Sequence, residues 1–145
     1  MMPERVRVTD AAAALLHQLR QQYGELILHL SGGCCEGSAP MCLRRSGFRI
    51  AARDILLGVV EDCPFYVSAA QFPYWAHSQI TLDVTTDGGG DSFSIEAVDG
   101  VRFLVRSRLF SDAECDELDV AGPPLVGPDA AEKYLAEGQA ASRTA

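Results

Sequence analysis

Apolar residues recur at a clear helical spacing near the start of this chain. Ala12, Leu15, Leu16, Leu19 and Tyr23 fall on one stripe, which predicts an amphipathic helix. Thr9 or Asp10 can cap it, residues 11–14 propagate it, and Gly24 stops it. His17 lies off the stripe and reads as a solvated surface residue. The period then shortens. Leu26-Ile27-Leu28-His29-Leu30 reads as a short buried strand, with His29 on the face of Ile27, opposite Leu28 and Leu30. Residues 41–45, 48–51, 55–60 and 63–67 are further strand candidates, with a break at Gly47. Ser68 opens a short helix through Gln71, Phe72, Trp75 and Ala76, which Pro73 confines to about one turn. Residues 80–84 alternate as a strand should. Residues 93–97 and 101–105 flank Val98-Asp99-Gly100, a hairpin signal.

After Phe110 the character changes. Gly122-Pro123-Pro124 and Gly127-Pro128 break structure, and residues 129–137 could form only a weak helix. The pattern therefore predicts an α+β fold, mainly antiparallel β, with one N-terminal helix and one short internal helix. Long helices do not alternate with strands, which argues against a doubly wound parallel sheet. Residues 1–112 read as a single compact domain. Residues 113–145 read as an acidic, flexible tail that adds little to the core beyond about residue 118.

Charge sharpens that division. The chain has 145 residues and a formal net charge of −8. Residues 1–110 carry 12 acids and 10 arginines, a net of −2, whereas residues 111–145 carry 8 acids and 2 bases, a net of −6. An acidic chain without a basic stripe argues against nucleic acid as a partner. Arg44, Arg45, Arg49 and Arg53 are locally dense, as are Arg102, Arg106 and Arg108, and read as solvated strand residues. The first residues have no apolar core of a secretory signal, and the longest apolar run, 55–60, is too short to span a bilayer. The expectation is a cytoplasmic protein with no membrane partner. Reducing conditions there disfavour structural disulfides, and the odd count of five cysteines agrees.

The candidate chemistry lies in Ser31-Gly32-Gly33-Cys34-Cys35-Glu36-Gly37-Ser38-Ala39-Pro40-Met41-Cys42. Three thiols fall within this glycine-rich loop, directly after an apolar strand. Thiolates are soft donors that suit zinc, iron, copper(I) or iron–sulfur clusters. Cys34, Cys35 and Cys42 are the candidate metal ligands. A fourth donor could be His77, His29, Cys63 or a group from a second subunit of a homo-oligomer, and His77 is favoured. Backbone N–H groups of Gly32, Gly33 and Gly37 are candidates to stabilise the thiolates. The cofactor would be a divalent transition metal, zinc or iron, or an iron–sulfur cluster. The same cysteines could instead carry thiol-redox chemistry, one attacking and another resolving. A third reading makes the loop or the tail a docking surface without chemistry. No Ser-His-Asp order, phosphate loop, paired carboxylates or zinc-protease motif appears, which argues against hydrolase and kinase activity.

The order of elements resembles the HesB-like, A-type iron–sulfur carriers. The residues that carry this are Val8-Thr9-Asp10-Ala11-Ala12, Leu28 through Gly32-Gly33-Cys34, the Pro73-Tyr74 step, and Gly90-Asp91-Ser92-Phe93-Ser94-Ile95. The carriers end in a Cys-Gly-Cys pair, where this chain has residues 98–106 without a cysteine. A closer resemblance is to DUF779, a family of small bacterial proteins. It rests on residues 31–42, Phe65-Tyr66-Val67-Ser68, Gln71-Phe72 with Tyr74-Trp75, residues 100–104 and residues 106–110. Genes of that family often neighbour aldehyde or alcohol dehydrogenase genes. The resemblance therefore implies an accessory role in that metabolism, with an aldehyde dehydrogenase as partner.

Overall fold

The computed structural model describes residues 3–32, 37–86, 100–137 and 143–144. Among these, the elements follow in the order β1 (Val6–Thr9), α1 (Asp10–Tyr23), β2 (Leu26–Leu30), β3 (Met41–Arg44), a 3₁₀ turn (Arg45–Gly47), β4 (Ile55–Val60), β5 (Cys63–Val67), α2 (Phe72–Trp75), β6 (Ser78–Thr85), β7 (Arg102–Leu109), α3 (Asp112–Ala121), α4 (Ala130–Ala136) and β8 (Arg143–Thr144). The strands form two four-stranded sheets, ordered β7-β6-β1-β8 and β3-β2-β5-β4. The α+β class holds, and the antiparallel ladders are the long ones. β6 and β7 pair from Ser78–Leu109 through Thr85–Arg102. β1 with β6, β1 with β8, and β2 with β5 are shorter parallel ladders.

α1 follows the predicted boundaries. The Thr9 hydroxyl accepts from Ala12 N–H at 3.1 Å, and Gly24 at φ +85° ends the helix. Its Ala12, Ala13, Leu16 and Leu19 enter a core shared with both sheets, which includes Leu28, Leu30, Cys42, Phe65, Ile80 and Phe103. The opposite face of the second sheet, bearing Ile27, Leu56, Val59 and Tyr66, forms a second cluster with Ala130 and Ala131 of α4. A register shift between Leu56 and Gly58 lets Leu56 and Val59 share that face although they are three residues apart.

Three expectations need correction. Residues 48–51 form no strand. The Asp54 carboxylate accepts from Ala51 N–H at 3.0 Å, while Asp54 N–H donates to the Ala51 carbonyl at 3.0 Å. That local turn takes the groups a ladder would need. The segment after residue 111 contains α3, which was not expected, as well as α4, which falls within the weak helix expected over 129–137. α3 opens on a capping box in which Ser111 and Glu114 satisfy each other's backbone N–H groups. Nor do residues beyond 118 stay out of the core. Leu125 and Tyr134 pack on the second cluster, Leu56 N–H donates to the Leu125 carbonyl at 2.9 Å, and the Tyr66 hydroxyl donates to the Gly127 carbonyl at 2.7 Å. The expected hairpin partner of β7, residues 93–97, lies outside the described residues.

Candidate functional site

β2 delivers the chain to the cysteine loop, and the loop returns to β3 by way of the other sheet. On its return leg Gly37 N–H donates to the Val105 carbonyl at 2.8 Å, and Val105 N–H donates to the Ser38 carbonyl at 2.9 Å. These bonds tie the loop to β7. Gly37 takes φ +90°, where a side chain would be strained. Its N–H is the donor to the Val105 carbonyl. Gly32 is exposed, and a side chain there would meet nothing within 4 Å among the described residues. Gly33, Cys34, Cys35 and Glu36 lie outside the described residues.

Cys42 stands opposite Leu28 in the β2–β3 ladder, and its side chain is fully buried in the inter-sheet core. His77 is exposed at the head of β6, next to Ser78, which pairs with Leu109. Val105, the anchor of the loop, lies further back along β7, roughly 13 Å away at about 3.3 Å per residue. Among the described residues, no three or more His, Cys, Asp or Glu side chains gather where they could hold a metal. Cys63 is buried, and desolvation pushes its thiol up to about 12, so it stays protonated. Cys115 is half-buried on α3.

A buried polar arrangement lies at the root of the loop. His29 and Asp54, two of the buried polar side chains, touch each other through His29 Nε2 and Asp54 Oδ2 at 3.1 Å. The other ring nitrogen, Nδ1, lies 2.6 Å from the Ser31 hydroxyl. A carboxylate accepts, so Nε2 carries a proton, and in the neutral ring Nδ1 accepts from the Ser31 O–H. Phe48 packs on the ring at 5.0 Å between centroids. Asp54 is itself fixed, because its carboxylate accepts from Ala51 N–H and its carbonyl accepts from Gly127 N–H at 2.9 Å. His29 and Ser31 are two residues apart on β2 and its extension, which puts them on one face. That spacing was legible in the sequence, and so was the face His29 shares with Ile27. Asp54 arrives only through the tertiary fold.

The arginines are largely engaged within the chain. Arg108 grips Glu114 with paired bonds of 2.9 and 2.8 Å, Arg106 meets Asp83 at 3.1 Å, Arg45 meets Glu132 at 3.8 Å, and Arg44 lies over the Tyr23 ring. No helix among the described residues is long and apolar enough to cross a membrane.

Comparison with known proteins adds one match. Residues 15–109 fit the profile of a domain of unknown function, DUF779. Neither a curated protein nor a solved structure matches the chain, so the likeness to the iron–sulfur carriers gains no support from a structural neighbour.

Proposed function

The chain belongs to the DUF779 family, and from that premise we propose that it is a metal-binding accessory protein whose ligands are the thiols of the cysteine loop. Cys34, Cys35 and Cys42 hold one divalent transition metal, zinc or iron, or an iron–sulfur cluster. The observation that carries this reading is the setting of the loop. Its exit is held by the Ser31–His29 bond, its return is tied to Val105 through Gly37 and Ser38, and Cys42 follows on β3 with its side chain in the inter-sheet core. A short thiol-bearing loop fixed at both ends loses little further entropy when it closes on a metal. His29 is already engaged on both nitrogens, and the buried Cys63 thiol is turned to the Glu61 carbonyl at 3.6 Å, so neither is counted in the ligand set. His77 or a group from a second subunit supplies the fourth donor. The working compartment is the cytoplasm, where thiols stay reduced. The metabolic setting that the family suggests is aldehyde or alcohol dehydrogenase chemistry, with an aldehyde dehydrogenase as the partner served.

Cobalt(II) titration of the full chain under reductant tests the ligand set. Thiolate-to-cobalt absorption should appear, weaken with each of Cys34→Ser, Cys35→Ser and Cys42→Ser, and persist in Cys63→Ser and Cys115→Ser. A chain that binds no cobalt but forms a reversible disulfide would support the thiol-redox reading instead. Neither behaviour would leave a docking module.

A further inference from the structure

We propose that Ser31, His29 and Asp54 form an acyl-transfer site, with Ser31 as nucleophile toward small activated esters or thioesters. The inference is independent of any metal on the loop. It rests on three features of the fold. The first is connectivity: hydroxyl to Nδ1 at 2.6 Å, then Nε2 to carboxylate at 3.1 Å, the nucleophile–base–orienter order that acyl transfer needs. The second is the division of burial. Ser31 is exposed, while His29 and Asp54 are 5% and 7% exposed, so the base is shielded and the nucleophile is reachable. The third is fixation. The Asp54 carboxylate is held by Ala51 N–H and its backbone by Gly127 N–H, while Phe48 braces the imidazole.

The chemistry balances with water as the co-reactant. Ser31 Oγ bonds to the acyl carbon as its proton passes to His29 Nδ1. The bond from that carbon to the alcohol oxygen or thiol sulfur breaks, and the leaving group takes the proton from His29. Water then attacks the acyl-serine with His29 again as base, releasing the carboxylic acid and restoring the hydroxyl. Ser31 and His29 are the catalytic residues. Asp54 is a positioning residue that fixes the tautomer and orientation of the imidazole. The run lacks the strand-turn-helix motif that usually marks such a serine. The arrangement is therefore recognised by geometry and not by spacing.

The test uses the full chain with a small fluorophosphonate, which phosphonylates activated serines with loss of fluoride. Cysteines also cleave activated esters, so the site of the adduct is read by peptide mass spectrometry. The expected result is an adduct on Ser31, absent in Ser31→Ala. Labelling should be about 10²-fold slower or worse in His29→Gln and in Asp54→Asn, as loss of general-base assistance implies. p-Nitrophenyl acetate turnover should fall in parallel. Ser31→Ala changes an exposed residue and serves as the folded control should the buried variants fail to fold. No adduct on Ser31 in the folded wild-type chain would overturn the proposal. So would an adduct confined to other residues, or equal labelling rates in a folded His29→Gln.

Discussion

Gly58→Ala tests how closely the two sheets and α4 meet. Gly58 sits at the register shift of β4. A Cβ there would lie 2.5 Å from Val6 Cγ1 and 3.2 Å from the Tyr134 hydroxyl. Comfortable carbon contacts lie at about 3.5–4.0 Å, so roughly 1 Å must be found. Val6 is fully buried on β1 and β-branched, so its methyl cannot swing aside. Overpacking of this kind costs about 1–3 kcal/mol. The loss of glycine freedom in the unfolded chain offsets about 0.4–1 kcal/mol of that, because Gly58 needs no positive φ. The net expectation is a loss of about 1–2 kcal/mol. For a chain of this length that is a fall in melting temperature of about 2–8 °C. Urea and thermal melts of the full chain measure it. Val6→Ala removes the obstructing methyl, so the double variant should be less destabilised than the sum of the singles, by about 1 kcal/mol. A Gly58→Ala chain as stable as wild type, or strict additivity in the double variant, would show that Val6 does not crowd this position.

Truncation after Gly122 should lower the melting temperature clearly. It exposes Ile27, Leu56, Val59 and Tyr66, and it leaves the Tyr66 hydroxyl without its Gly127 acceptor, a loss of about 1 kcal/mol or more for that bond alone. An unchanged melt would show that α4 does not hold this face. Cys63 should resist a thiol-specific disulfide reagent in the native chain and react only on unfolding, because it is buried and burial pushes its thiol up to about 12; labelling followed by peptide mapping checks this. The paired bonds from Arg108, with help from Ser111 N–H, hold the Glu114 carboxyl down at about 2. A depressed carboxyl contributes stability above its unfolded value that is lost as pH falls toward its folded one. Wild type should therefore melt above Glu114→Gln at pH 6, and the gap should close by about pH 2; a constant gap would contradict the assignment.

Elements decided by one local feature are legible in the sequence. Thr9, the Ala12–Leu16–Leu19 stripe and Gly24 define α1. Pro73 sits in the first turn of the one-turn α2, where its missing N–H costs nothing, and alternation defines the face on which His29 sits. What failed was non-local or understated. α3 carries a legible Ser111–Glu114 capping box, but its acidic face and single buried residue, Leu118, give little period to detect. Ala130 and Ala131 look unremarkable in sequence because they are small, and smallness is what lets α4 seat against Tyr66 and Leu56. The parallel pairing of β2 with β5 spans more than thirty residues and has no local mark. For the same reason His29-Gly32 reads only as a strand end until the fold carries Asp54 to the imidazole.

Whether the cysteine loop holds a metal decides the proposed function. The most direct measurement is element analysis of the full chain, purified without an affinity tag and kept under reductant. A metal-binding loop should give about one transition-metal ion per chain for a mononuclear site, or stoichiometric iron and sulfide for a cluster. It should also release the metal on acidification, as protons compete for the thiolates, and a folded Cys34→Ser/Cys42→Ser variant should fall to background levels. A reduced, folded wild-type chain that carries no metal and takes up none when it is supplied would contradict the metal-binding reading.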